Sequence, residues 1–244
     1  MSHDTEHAET IEKELVLKFF CQRPTGFFVE VGANDPVGGS QTWLLEQSGW
    51  WGILVEPQPK FQGRLRASRP RSKVHQVACS APEKRGQARL HIANSDGFST
   101  LAPQRDTHGV VFNDTQTVNV VTLDDLLAEE KVTRVDFVSI DVEGGELDVL
   151  RGFSLERYRP ALVLIEDYVR NLDKHRHMTG RGYKLVKRTA LNNWYVPEET
   201  KFTMTTFGER LELIRKMYLA TPIRQWRLAV RRRRQQRTEA SRQP

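Results

Sequence analysis

Residues 26–35 read Gly-Phe-Phe-Val-Glu-Val-Gly-Ala-Asn-Asp. Apart from Glu30, residues 27–31 are aromatic or β-branched, the composition of a strand buried on both faces. Gly32 follows at once, where the chain must turn sharply. Three more segments repeat this plan. Trp-Gly-Ile-Leu-Val (51–55) ends in Glu56-Pro57. Arg-Val-Asp-Phe-Val-Ser-Ile (134–140) ends in Asp141-Val142-Glu143-Gly144-Gly145-Glu146. Ala-Leu-Val-Leu-Ile (161–165) ends in Glu166-Asp167. A further strand is expected over 74–78, ended by Cys79-Ser80. Helical spacing fills the gaps, over 40–47 with Ser40 as cap, 59–67, 123–130 capped by Thr122, 144–150 and 168–179. Strands alternating with helices predict a mostly parallel sheet covered by helices on both faces. Two last strands, 183–187 and 193–196, have the look of an antiparallel hairpin.

Outside that frame, Ile11, Leu15 and Phe19 recur every four residues and predict a helix ending near Cys21. Strands are expected over 87–92 and 117–121, and the Gly-, Ser- and Asp-rich stretch 94–114 between them predicts a long functional loop. Helices are expected over 207–220 and 223–234, broken at Pro222. The expected division is an N-terminal helical extension over 1–22, a central domain over 23–200, and a C-terminal helix with an arginine-rich tail over 201–244.

The chain has 244 residues and a formal net charge of +6. That charge is uneven: residues 221–244 hold eight Arg against one Glu, and residues 1–14 hold five acids against one Lys. The body is therefore nearly neutral. The two cysteines, Cys21 and Cys79, exclude a disulfide scaffold and a four-cysteine zinc site. With no apolar run near membrane-spanning length and no basic-apolar leader, a cytoplasmic protein is the expectation.

Open parallel sheets bind ligands at the carboxyl ends of their strands. Four of the five strand ends here carry acids, and crowded carboxylates favour a cationic ligand or a metal. Each also has a plain reading: Gly32 as a tight turn, Glu56 as a solvated strand end, Asp141 as a helix cap. Glu56 lies 24 residues beyond Gly32, the spacing of an acid that accepts from ribose hydroxyls. The loop Gly-Ala-Asn-Asp-Pro-Val-Gly-Gly (32–39) departs from the Gly-x-Gly-x-x-Gly of dinucleotide folds, which cradles a pyrophosphate. A ligand with positive charge and no phosphate suits it better. S-adenosylmethionine, with an ammonium and a sulfonium, is such a ligand, and a nicotinamide dehydrogenase is disfavoured.

FFVEVGAND, ILVEP, DFVSIDVEGGELDVLRG and LVLIED together resemble the FkbM family of S-adenosylmethionine-dependent methyltransferases over about residues 26–197. The resemblance implies a class I methyltransferase fold: a Rossmann-like α/β sheet of seven strands, mostly parallel, with a C-terminal antiparallel hairpin and helices on both faces. It implies O-methylation of a sugar, glycan or natural-product hydroxyl. Pro36 and Val138-Ser139 depart from the common family pattern.

On this reading Glu30, Gly32, Asn34 and Asp35 line the methionine end of the cofactor and Glu56 holds its ribose. Ala78, Ser80 and Cys79 border the adenine, and Asp141 joins the cofactor set. Asp141 and Glu143 face the transferring methyl, with either as candidate base. His175 is a further candidate, with His177 and His108 as less favoured ones. Asp141 with Glu166 or Asp167 offers oxygen ligands to Mg²⁺, an arrangement some class I O-methyltransferases use.

Two other classes stay in view. The arginine-rich end raises a nucleic-acid methyltransferase, but Asp-Val-Glu-Gly (141–144) stands where base amino methyltransferases carry an Asn/Asp-Pro-Pro-aromatic motif, and its carboxylates would repel phosphates. A non-catalytic cofactor-binding module is the second. Ile223, Trp226 and Val230 beside Arg224, Arg227 and 231–234 also fit contact of 221–244 with an anionic membrane.

Overall fold

The computed structural model describes residues 3–94, 98–101, 110–227 and 229–230, with side chains from Ile11 onward. Seven strands form one sheet: β1 (Phe27–Val31), β2 (Trp51–Val55), β3 (Ser72–His75), β7 (Phe137–Ile140), β8 (Leu162–Glu166), β9 (Tyr183–Thr189) and β10 (Asn192–Pro197). Their order is β3-β2-β1-β7-β8-β10-β9. The first five run parallel, while β10 pairs antiparallel with both β8 and β9. The strand order reverses between β1 and β7, which places the ligand crevice beside their carboxyl ends.

Strand alternation builds two cores from one sheet. Phe27, Val29, Val31, Val138, Ile140, Val163 and Ile165 face one layer. That layer is closed by α4 (Leu123–Glu129), α5 (Glu146–Arg151) and α6 (Leu155–Tyr158), through Leu123, Leu127, Val149, Leu150 and Leu155. Phe28, Leu54, Phe137, Leu162 and Leu164 face the other. There α1 (His3–Phe19) contributes Val16, and Phe20 follows it; α2 (Trp43–Gln47) and α3 (Pro59–Ser68) add Leu45, Phe61 and Leu65. The N-terminal helix is thus packed into the second core. Its Glu12, 2% exposed, accepts hydrogen bonds from Asn192 Nδ2 (2.6 Å), Trp194 Nε1 (3.2 Å) and the Thr189 hydroxyl.

Between β3 and β7 the chain makes a second sheet, ordered β4-β6-β5, from β4 (Ala78–Cys79), β5 (Gly86–Ala93) and β6 (Phe112–Val121). The strand expected over 74–78 is therefore divided: its start belongs to β3 in the main sheet and Ala78 to β4 in the small one. The expected loop 94–114 is shortened to 94–111 between β5 and β6, because β6 begins at Phe112, and its candidate His108 lies outside the described residues.

Three helix boundaries also differ from expectation. Ser40 does not cap a helix, because its hydroxyl donates to Glu30 (2.7 Å), and α2 begins at Trp43. The helix expected from Tyr168 begins only with α7 (Asp173–Thr179), since Val169 adopts φ +49° and its N–H donates to the Asp167 carboxylate (2.8 Å). At the C-terminal end α8 (Phe207–Ile214) runs through a π-helical turn, Arg215–Leu219, and helix continues past Pro222. The wider turn just before the proline accommodates the carbonyl that its ring would otherwise strike.

Candidate functional site

The carboxyl ends of β1, β2, β4 and β7 surround a cavity of about 450 Å³, with the small sheet as its far wall. That size suits a ligand of a few dozen atoms. Gly32 sets the closeness of its floor. It sits at φ +92°, and a Cβ there would lie 1.7 Å from the carbonyl oxygen of Asp141. Only glycine lets the β1 and β7 ends approach this way. Backbone strain gathers at these ends: Asn34, Glu143 and Val169 all carry positive φ, at 21°, 55° and 49°. Such conformations persist where surrounding structure holds them, commonly at functional sites.

At the β2 end Glu56 is 3% exposed. One oxygen accepts from the N–H of Asn34 (3.1 Å) and the other from the N–H of Gln58 (2.8 Å). Burial pushes its carboxyl up to about 7 despite these two donors. Each oxygen keeps a lone pair for a further donor. Cys79 and Ala78 line the neighbouring wall, where burial pushes the Cys79 thiol up to about 12, so it serves as a small apolar surface. Ser80 completes that side. Leu90 of β5 closes it from the small sheet, together with Thr100 and Leu101, which belong to the stretch expected to be a functional loop.

At the β7 and β8 ends Asp141, Glu143 and Glu166 bring carboxylate oxygens within 4.8 Å of one another. Asp141 and Glu143 line the cavity. All three are held above the ordinary carboxylate range, first by loss of surrounding water and then by like charge: Glu146 acts on Asp141, and Asp141 on Glu143 and Glu166. Asp141 itself is open to the cavity, so its desolvation comes from the walls around it. Glu166 is 6% exposed, and its Oε2 has no hydrogen-bond partner among the described residues. The nearest ammonium, Lys174, is committed elsewhere: it donates to Glu146 (3.0 Å) and the Glu166 carbonyl (2.8 Å) and pairs with Asp167 (3.1 Å). Glu146 and Lys174 escaped the sequence reading, although Glu146 stands in the quoted motif. Glu146 also accepts from the Gly144 N–H (2.6 Å) and so holds the turn after β7.

Gly32, Asn34, Glu56, Ala78, Ser80, Asp141 and Glu143 therefore share one cavity. Glu30, Asp35, Asp167, His175 and His177 do not join them, and Glu166 lies behind Asp141 and Glu143. Glu30 points away beneath the loop, where it accepts from Ser40 Oγ (2.7 Å), Gln41 N (2.8 Å) and Thr42 Oγ1 (2.6 Å) and lies 3.6 Å from Arg69. Arg69, wholly buried, also binds Glu46 (2.7 Å) and the Pro36 carbonyl (3.2 Å), so this network anchors the loop from below. Asp35 locks the loop instead of lining it. Its carboxylate accepts from the N–H groups of Val37 (2.8 Å) and Gly38 (2.7 Å) and pairs with Arg64 (2.9 Å). Partial burial would raise its pKa, but these partners together lower it. Asp167 binds Val169 N–H, Asn193 and Lys174, so Glu143 takes its place beside Asp141 and Glu166. His175 is occupied on both ring nitrogens, by Tyr195 OH (3.3 Å) and Tyr218 OH (2.7 Å), and faces the C-terminal helix. His177 is half-buried on the same helix, outside the cavity lining.

Comparison with protein families matches the methyltransferase FkbM domain over residues 30–210. A search of curated proteins returned no match. Solved structures with similar chains include a precorrin-6y C5,15-methyltransferase from Geobacter metallireducens, 14% identical, covering 75% of this chain and 84% of that one at a TM-score of 0.39. A TehB-like SAM-dependent methyltransferase from Corynebacterium glutamicum is 10% identical, with coverages of 76% and 85% and a TM-score of 0.40. The O-methyltransferase TomG from Streptomyces achromogenes, involved in tomaymycin synthesis and solved with SAM, is 13% identical, with coverages of 76% and 77% and a TM-score of 0.42.

Proposed function

The chain belongs to the FkbM methyltransferase family and is an S-adenosylmethionine-dependent methyltransferase, and from that premise we propose that it methylates a hydroxyl oxygen of a sugar, glycan or other small natural product. The carrying observation is the pair of cavity carboxylates, Asp141 and Glu143, beside the buried Glu166, with no lysine or arginine among the described residues paired to them. S-adenosylmethionine supplies a methyl group already activated on a sulfonium. The residues present suit it: a glycine-floored crevice, a buried ribose-type acceptor in Glu56, a small apolar wall at Ala78 and Cys79, and carboxylates for its positive charge. Glu56 and Asp141 stand on strands two apart in the sheet, about 10 Å at normal strand spacing. An extended nucleoside with an amino-acid tail bridges such a gap.

The protein's remaining tasks are positioning and proton handling. Asn34 and Gln58 fix Glu56 through their N–H groups, so the ribose is held by a preset acceptor. Gly145 and Val142 line the same cavity beside Asp141 and Glu143. An alcohol is a weak nucleophile at neutral pH, and a carboxylate of Asp141 or Glu143 within reach takes its proton as the oxygen attacks. Holding the reacting atoms about 3 Å apart supplies much of the rate.

A second reading is favoured by the unpartnered Oε2 of Glu166: Asp141, Glu143 and Glu166 hold a divalent cation. An all-oxygen donor set fits Mg²⁺ or Mn²⁺. Such an ion would supply Lewis acidity toward an acceptor hydroxyl. Manganese titration followed by electron paramagnetic resonance distinguishes the two: one tight site supports the cation, and full turnover in EDTA with no manganese bound removes it. Transfer from labelled cofactor to a panel of glycans, small hydroxyl compounds and nucleic acids tests the main reading. Label in an ether product supports it; label only in nucleic acid, or none in any hydroxyl compound, overturns it.

A further inference from the structure

The C-terminal helix exposes a row of large apolar side chains. Phe207, Leu211 and Ile214 are 77%, 53% and 47% exposed, and Leu219, Ile223 and Trp226 are 65%, 54% and 66% exposed. No described residue covers them. At about 100° per residue, a regular α-helix would put these two triplets on faces about 120° apart. The π-helical turn at Arg215–Leu219 lies between them. It inserts one extra residue, which turns the second triplet back by about 100° and brings both onto one face. Met217 (0% exposed) and Thr221 (3% exposed) hold the helix to the body on another side. The π turn thus converts two short stripes into one continuous apolar stripe about five turns long.

We propose that this stripe docks on an anionic membrane surface. The charge beside it selects that partner. Arg227 is exposed next to the stripe, Arg215 beside it pairs with Glu212 (3.7 Å), and residues 221–244 carry eight Arg against one Glu. A second copy of the chain would bring two such ends together and repel. A nucleic acid would satisfy the arginines but leave six large apolar groups in water. A sheet of anionic headgroups over acyl chains satisfies both, with Trp226 at the depth where aromatic rings settle. No described helix is long and apolar enough to cross a membrane, so the contact lies in the surface plane. Tyr218, on the same helix, binds His175 of α7 (2.7 Å), which follows the β8 end. The docked helix is thereby joined to the segment that carries Glu166. The inference does not depend on which hydroxyl is methylated.

The test is flotation of the full chain with vesicles of phosphatidylcholine alone or mixed with phosphatidylserine. Binding to the mixed vesicles at least ~10-fold stronger than to the neutral ones is expected. The double variant Leu219→Glu and Ile223→Glu should lose it with an unchanged melting temperature, since both positions are solvent-exposed. Arg227→Gln, which leaves the stripe intact, should weaken binding and reduce its salt dependence. Equal binding to both vesicle types, no binding to either, or a concentration-dependent dimer that the double variant dissolves would each overturn the proposal.

Discussion

Replacing Glu56 with Gln probes the cofactor reading and the fold with one atom's change. The wild-type carboxyl titrates near 7 in the folded chain, against an ordinary value of 4.5. At 1.36 kcal/mol per unit, keeping it ionised costs at most about 3 kcal/mol of stability. The folded-state pKa is the higher one, so the unfolded chain gives up its proton first. Stability therefore falls as pH rises from about 4.5 to about 7, and the full cost applies above that. Glutamine removes this cost. It also turns an NH₂ toward the N–H of Asn34 or Gln58, and an unsatisfied buried donor costs about 1–3 kcal/mol. The variant should thus be less stable than wild type at pH 5, where the wild-type group is neutral, and close to it at pH 8. Cofactor affinity responds differently. A hydrogen bond to a charged acceptor contributes about 1.5–3 kcal/mol, so losing one from the ribose weakens binding about 10- to 150-fold at pH 8. Wild-type affinity should itself rise with pH through about 7. Titration calorimetry with S-adenosylmethionine and thermal melts at the two pH values read both effects. A folded variant that binds within about threefold of wild type, or a stability difference that ignores pH, refutes the assignment of Glu56.

Asp141→Asn and Glu143→Gln should each leave a folded protein that binds cofactor; the one that removes the base lowers single-turnover methyl transfer about 10²- to 10⁴-fold, and undiminished transfer in both would dismiss the carboxylates as proton acceptors. Arg69→Ala takes the guanidinium from the buried Glu46, which keeps the Arg71 N–H and the Ser72 hydroxyl, and from beside Glu30, so a loss of about 3–5 kcal/mol is expected in urea unfolding, with a loss under about 1 kcal/mol contradicting the network's role. Gly32→Ala forces a Cβ to 1.7 Å from the Asp141 carbonyl at a φ of +92°, and should yield insoluble or protease-sensitive protein; a normal melting temperature would contradict the close approach of β1 and β7.

The main sheet was legible because its strands are short, apolar and separated by helical spacing, so periodicity alone located β1, β2, β7 and β8. The acids at their ends followed from the rule that ligands gather there. Which acids enter the cavity was not legible. Glu30 and Asp35 stand two and three residues from Gly32, yet one turns under the loop to Ser40, Gln41 and Thr42 and the other folds back onto Val37 and Gly38. Those choices depend on Arg69 and Arg64, 39 residues from Glu30 and 29 from Asp35 respectively and bearing no local pattern. Asp167 and Glu166 are adjacent, so in an extended strand end they point to opposite sides, and only Glu166 meets Asp141. His175 looked like a base by position, but Tyr218 lies 43 residues further on and no spacing announced it. Pro222 was read as a break because a proline disrupts a regular α-helix. A π turn just before it was not predictable from composition.

The distribution of charge bears on the proposed acceptor class more than its sum does. Among the described residues the cations lining the cavity are already matched, Lys84 to Asp148 and Arg85 to Asp125, while Asp141 and Glu143 face the space as crowded carboxylates. A polyanion threaded past those carboxylates would meet repulsion where an enzyme acting on nucleic acid needs attraction. A sulfonium cofactor and an uncharged hydroxyl compound meet none. The arginines of 221–244 do not reverse this balance, because exposed charges are screened beyond about 8 Å at physiological salt, whereas groups inside a cavity are screened much less. The two regions should therefore part under salt. Raising it from about 0.1 to 0.5 M should release the chain from anionic vesicles while the Kd for S-adenosylmethionine moves by less than about threefold. A cofactor affinity that collapses in parallel with vesicle binding would mean that the arginine-rich end contributes to the site, and the separation of roles drawn from the cavity's ion pairs would be wrong.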